Sequence, residues 1–152
     1  MPSFQVRQLD HVELYVPDRY AAAKWYEAVF GLTILREVES WANPDGSGPL
    51  MISSDGGATK LALFQGEGPG TKPITGFLRV AFAVDGAGFL EFVARLDQHE
   101  LINRDGQPLT ARDVIDHQMA WSIYFSDPYG NPFEVTTYDY EQVRDALAQQ
   151  SG

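Results

Sequence analysis

Hydrophobic and polar positions along the chain alternate with a period of two in some stretches and three to four in others, and these rhythms come in the same order twice. "DHVELYVPD" (Asp10–Asp18) sets His11, Glu13 and Tyr15 against Val12, Leu14 and Val16, the alternation of a half-buried strand closed by a turn signal. "RYAAAKWYEAVFG" follows, with Ala22, Trp25, Tyr26, Val29 and Phe30 at helical spacing, Asp18 placed to cap the start and Gly31 the end. Three further strand-like stretches, "LTILREVES", "LMISS" and "TKLALFQ", are separated by the turn-forming "NPDGSG" and "SDGG".

The second half repeats this order. "LRVAFAVDG" (Leu78–Gly86) lays Arg79 over His11, Val80 over Val12, Phe82 over Leu14 and Val84 over Val16. "AGFLEFVARLD" then spaces Phe89, Phe92, Val93 and Leu96 as a helix does. "HELINRDG" and "QPLTARDV" predict a weak strand or irregular chain, whereas "QMAWSIYFS" and "NPFEVTTYD" predict firm strands. "DPYG" between those two is a turn with Pro128 at its second position. "GEGPGTKPITG" (Gly66–Gly76) is the expected hinge, and "DYEQVRDALAQQ" predicts a short helix packing through Val143, Ala146 and Leu147. The order βαβββ, linker, βαβββ defines an α+β fold in one domain over 1–152: module 1 about 8–65, module 2 about 76–138, and a C-terminal helix at 139–149. Helices cover one face of such a sheet. The bare face must curl around itself or a ligand, so two modules are expected to form a partly open, barrel-like cleft.

Composition narrows the function. Hydrophobic residues make up 44% of the 152 residues, enough for a buried core. The net charge of −10, from 21 acids against 11 Lys and Arg, repels phosphate backbones and anionic lipid, so neither nucleic acid nor membrane is an expected partner. A single arginine in a cleft still acts locally on a small anion. The absence of cysteine excludes disulfides, thiolate metal sites and a cysteine nucleophile. "MPSFQVRQLD" lacks the basic start and apolar core of a secretory signal, and no apolar run approaches the roughly 20 residues of a membrane span, so a cytoplasmic location is expected. No phosphate loop with its Lys-Ser/Thr and no Gly-x-Ser-x-Gly elbow occurs.

A few polar groups interrupt the pattern. In "DPYGNPFEV" the last strand sets Pro132, Glu134 and Thr136 on one face and Phe133, Val135 and Thr137 on the other. A solvated face fits this alternation. So does a cleft-facing one, in which a buried Glu134 needs a partner or a proton. His11 reads either as a satisfied strand histidine or as a site residue. Arg79 reads either as an outward arginine or as an inward partner of Glu134. An arginine has no free lone pair and does not ligate a cation. His117 is a loop residue within conceivable reach of the last strand, and His99 reads as a surface residue. Trp121 and Tyr124 lie on one strand with opposite parity, so only one of them faces a cleft, and Tyr15 shares the parity of His11. Aromatics with a few polar groups are what small organic ligands use.

"LDHVELYVPDRYAAAKWYEAVFGLTIL", "FLRVAFAVD" and "FSDPYGNPFEV" together resemble the vicinal oxygen chelate superfamily, which holds glyoxalase I, extradiol dioxygenases, fosfomycin-resistance enzymes and bleomycin-resistance proteins. The likeness runs from about Leu9 to Tyr138. It implies paired βαβββ modules and a homodimer. In metal-using members it also implies a histidine on the first strand, a histidine on the strand opening the second module and a glutamate on the last strand. These positions land on His11, Arg79 and Glu134. The further acid of glyoxalase-like members has Leu61 as its nearest match. With the middle ligand lost, the expected function is a small-molecule binding protein of the glyoxalase/bleomycin-resistance type. Its metal site is degenerate and it has no cofactor. Its ligand, a small organic molecule, is held by Arg79, Trp121, Tyr15 and Tyr124. Two enzymatic alternatives stay open. One is a lyase, isomerase or dioxygenase using His11 and Glu134 to hold a divalent metal (Fe, Mn, Ni, Zn or Mg). The other is a metal-free isomerase with Glu134 as catalytic base and Arg79 steadying an enolate.

Overall fold

The structure is a computed structural model, and it describes residues 8–66 and 79–151. The chain divides into two compact units, Met1–Thr71 and Lys72–Gly152, each with its own sheet and core. The expected hinge lies, Gly66 apart, outside the described residues.

Module 1 runs β1 (His11–Val16), α1 (Arg19–Phe30), β2 (Thr33–Ile34), β3 (Pro49–Ser53) and β4 (Lys60–Gln65). Its sheet has the order β1-β4-β3-β2, with β1 and β4 parallel and the other pairs antiparallel. α1 begins where the Asp18 carboxylate accepts from the amides of Tyr20 and Ala21, and ends at Gly31, whose φ of +71° few other residues adopt. The helix packs on β3 and β4. There Leu50, Ile52, Leu61 and Leu63 share one sheet face by register and are buried, with Ala22, Ala23 and Tyr26 supplied from α1. Each such aliphatic side chain contributes about 1.5–3 kcal/mol on burial.

Module 2 repeats the plan: β5 (Val80–Ala83), α2 (Gly86–Ala94), β6 (Ile115–Asp116), β7 (Trp121–Ser126), β8 (Pro132–Thr137) and then α3 (Tyr140–Gln150). Its order is β5-β8-β7-β6, again with the β5–β8 pair parallel. Phe89, Ile123, Phe125, Phe133, Val135 and Val143 are buried, and the Phe92 and Phe125 rings meet at 5.5 Å. Asp85 caps α2 through the Gly88 amide, while Asp139, ahead of α3, accepts from the Gly86 amide at 2.7 Å. α3 packs against α2 through buried Val143, with Ala146 and Leu147 half-buried beside it.

The two modules therefore follow the order expected from the pattern, with three local departures. "LTILREVES" yields only the two-residue β2, after which Arg36–Trp41 forms a 3-10 helix. Leu35, Val38 and Trp41 recur every third residue, and Arg36 pairs with Glu39 at 2.8 Å across one such turn, which suits a 3-10 helix and not a strand. "HELINRDG" and "QPLTARDV" form isolated bridges from Ile102 to Pro108 and Ser126 and a capped 3-10 turn at Ala111–Asp113; β6 starts only after them. Gln118 takes φ +68° in the turn joining β6 to β7, so β7 begins at Trp121, later than "QMAWSIYFS" suggests. Among the described residues no helix is long and apolar enough to cross a membrane.

Candidate functional site

Strand parity divides module 2 into two faces. Ile123, Phe125, Phe133 and Val135 face the helices; Ala81, Ser122, Tyr124, Glu134 and Thr136 share the bare face. Glu134 stands on central β8, directly between Ala81 of β5 and Tyr124 of β7, and is half-buried. Tyr124 is the point on which other elements converge. The guanidinium carbon of Arg79, just ahead of β5, lies 4.5 Å from the centre of its ring. That of Arg104, from the chain between α2 and β6, also lies at 4.5 Å. The phenol oxygen is 2.9 Å from His117 Nε2 in the β6–β7 turn. Stacking on a π face fixes a guanidinium while leaving its N–H edge free to donate.

Beside the ring lies a recess of about 190 Å³ lined by Asn103, Arg104, Asp105, Arg112, Asp113, Ile115 and Tyr124. The Asp113 carboxylate is already engaged: it accepts from the Thr110 amide at 2.7 Å, the Thr110 hydroxyl at 3.3 Å and Asn103 Nδ2 at 3.0 Å. The ion pair with Glu134, one of the two readings of Arg79, is not formed; Arg79 stacks on Tyr124. The physical reason is that partly exposed charges gain little from pairing, whereas stacking on the ring leaves the N–H edge of the guanidinium hydrated.

The other expected site residues are placed as follows. Trp121 lies on the opposite face of β7 from Tyr124, stacked on Tyr140 at 5.5 Å and donating its indole N–H to the Tyr140 carbonyl at 3.1 Å. His11, Glu13 and Tyr15 belong to module 1, on the bare face of β1, with Tyr15 5.8 Å from Phe64. His11 Nδ1 is 2.7 Å from Asp10, and its Nε2 is 3.5 Å from Glu13. Lys60, its register partner on β4, also reaches Asp10, at 2.9 Å. Hydrogen bonds from His11 first and Lys60 second hold the Asp10 carboxyl below the usual aspartate range. Register also corrects the expected match at Leu61. Glu13 pairs with Ala62 as Ala81 pairs with Glu134, so Ala62 is the counterpart of Glu134, and Leu61 points into the core.

These residues do not fit a three-ligand metal site. Of the three positions that the family likeness marks, the middle one carries Arg79, a cation with no lone pair to give. Among the described residues no three His, Cys, Asp or Glu side chains are grouped to hold a metal ion.

Asn103, Arg104 and Arg112 were not among the residues expected from the sequence. The available signal was modest: two arginines in a long segment between α2 and a short strand, in a chain rich in acids.

The sequence profile of the Glyoxalase/Bleomycin resistance protein/Dioxygenase superfamily matches residues 8–135, and the chain belongs to this superfamily. Solved structures of the same fold include the fosfomycin resistance protein FosX of Listeria monocytogenes. It has 15% identity and a TM-score of 0.63, over 91% of this chain and 99% of that one. A glyoxalase/dioxygenase of Nostoc punctiforme has 21% identity and a TM-score of 0.63, over 91% and 98%. A glyoxylase/bleomycin resistance protein/dioxygenase domain of Frankia sp. EAN1pec has 19% identity and a TM-score of 0.64, over 88% and 93%. At these identities the likeness speaks for the fold alone. No curated protein sequence matches the chain.

Proposed function

We propose that this chain is a small-molecule binding protein whose ligand rests on the bare face of module 2, without a resident metal. The observation that carries this reading is the convergence of Arg79, Arg104 and His117 on Tyr124, next to Glu134. An aromatic platform with a few directed polar groups is how proteins hold small organic molecules. The superfamily supplies the scaffold, and the altered donor set argues against the metal chemistry of its relatives. A mutant of the Listeria protein was solved with Mn(II) and 1S,2S-dihydroxypropylphosphonic acid. A corresponding metal-dependent lyase, isomerase or dioxygenase here would rely on His11 and Glu134, with Arg79 at the place of a ligand.

The test joins elemental analysis of protein purified with neither added metal nor chelator to a thermal-shift screen of a small-molecule library. Expected are sub-stoichiometric metal and hits that Tyr124→Ala abolishes. A stoichiometric metal that disappears in His11→Ala would overturn the reading. A metal-free isomerase remains a second reading, supported by Glu134 lying across from a tyrosine that is itself joined to a histidine. Under it, Glu134→Gln stops turnover of a bound hit while leaving its affinity within about threefold.

A further inference from the structure

Charge pairing in this chain is uneven in an informative way. Acids outnumber Lys and Arg by 21 to 11, so an arginine has carboxylates to choose from. Arg36 pairs with Glu39, Arg95 with Glu91 and Arg144 with Asp145. Arg19 is buried and gives its two terminal nitrogens to backbone carbonyls. Among the described residues, the arginines with neither kind of partner are Arg79, Arg104 and Arg112, and all three gather around Tyr124 and its recess. The guanidinium carbons of Arg79 and Arg104 each stand 4.5 Å from one ring centre, so they are at most twice that distance apart. Both cations stack on one ring with no ion-pair partner of their own, and the stacking offsets part of their mutual repulsion.

We propose that the recess is an oxyanion subsite. It takes the carboxylate or phosphate group of the ligand, with Arg104 and Arg112 as donors and Asn103 at its wall. The inference rests on the reading of this face as a binding site and specifies the class of ligand. At about 190 Å³ the recess falls short of the roughly 300–1,000 Å³ of pockets that enclose a whole ligand, and suits one charged group. The remainder of the molecule then lies along the sheet face toward Tyr124, Arg79 and Glu134. Asp113 does not compete, because Thr110 and Asn103 engage its carboxylate and leave Arg112 free. Two lining carboxylates, Asp105 and Asp113, oppose an anion; Arg104 and Arg112 offset them and Arg79 adds positive charge beside the ring, so binding rests on the directed guanidinium bonds. Guanidinium groups are suited to this task because their planar fork matches two oxygens at once.

The experiment is ligand-observed NMR of the full chain at low salt, with inorganic phosphate, benzoate and the neutral benzamide as probes. Phosphate or benzoate should broaden on addition of protein and benzamide should not, and comparison of the two anions tells phosphate from carboxylate preference. In Arg104→Ala and Arg112→Ala the dissociation constant should rise about tenfold or more, while Arg95→Ala stays within twofold. Arg104→Lys, which keeps the charge without the fork, should restore only part of the affinity and shows that the fold is intact. No binding of either anion, or binding indifferent to Arg104 and Arg112, would overturn the subsite. Library hits that are neutral and lost in Tyr124→Ala but not in Arg104→Ala would remove the subsite while the binding-protein reading stands.

Discussion

The two modules share a strand–helix–three-strand order and a sheet with parallel outer partners, but they place their long irregular segment in different arms. Module 1 inserts residues 35–48 between β2 and β3; module 2 inserts residues 95–114 between α2 and β6. In module 1 a single buried side chain clasps the insertion. Arg19 donates to the carbonyls of Gly46, Ser47 and Gly48 at 3.2, 2.8 and 2.6 Å and to that of Asn43 at 2.9 Å. In module 2 the insertion instead delivers Asn103, Arg104 and Arg112 to a recess and leaves the arginine heads accessible. The same side chain is thus a strut where its terminal donors end on carbonyls and, in the proposed subsite, a recognition group where they are unpaired. The difference lies in partners and burial, which residue type does not reveal.

The sharpest way to break this comparison is to remove each arginine. Arg19→Ala removes a buried side chain together with the four hydrogen bonds it gives to the 43–48 turn, and should cost about 3 kcal/mol in urea unfolding. Arg104→Ala, in a solvated segment, should cost no more than about 0.5 kcal/mol. Equal losses would erase the distinction between strut and recognition group. Gly48→Ala should also weaken module 1, because its φ of +74° disfavours a side chain and a Cβ there would run into the Trp41 carbonyl.

A second comparison concerns the platform. Tyr124→Phe keeps the ring under both guanidinium groups and loses only the His117 contact, so the affinity of a screened ligand should fall by about 0.5–1 kcal/mol. Tyr124→Ala removes the platform and should cost clearly more. If titration shows the two variants to be equivalent, the phenol and not the ring is what matters.

Helix starts offer a gentler contrast. Asp18 bonds two amides of α1, whereas α2 shares the task between Asp85 and Asp139. Asp18→Ala should therefore cost about 1 kcal/mol in thermal melts and Asp85→Ala about half of that.

The smallest expected effect is at the β3–β4 turn. There the Thr59 amide first, and the Ser53 hydroxyl next, hold the Asp55 carboxyl below the ordinary aspartate range. Its folded value is lower than its unfolded one, so the stabilisation is present above the unfolded value and fades as pH falls through the folded one. A carbon-detected NMR titration should place the Asp55 midpoint below that of an unfolded aspartate. A midpoint at the unfolded value would show that these bonds do not persist in solution.

Much of the molecule was legible in the chain because its signals are local. A strand alternates and a helix recurs within a few neighbouring residues, so β1, α1, α2, β7, β8 and α3 announced themselves, and Asp18 and Gly31 marked the ends of α1. The same rhythm separated Tyr124 from Trp121 and set Glu134 opposite Phe133 and Val135. It failed where pairing decides the state. Nothing in "LTILREVES" alone says that only Thr33 and Ile34 find partners, at Ser53 and Ile52. The strings that align His11 with Arg79 also place Asp18 over Gly86, although the capping residue is Asp85, because the strand-to-helix connection differs by one residue.

Periodicity along the chain thus determined the repeated module and the faces of its strands, since each depends on residues adjacent in sequence. Tertiary structure decided the site. Arg79, Arg104, His117 and Tyr124 come from four separate elements, and their meeting depends on how an irregular segment closes against a sheet. That closure also determines which arginines find carboxylates and which stay unpaired.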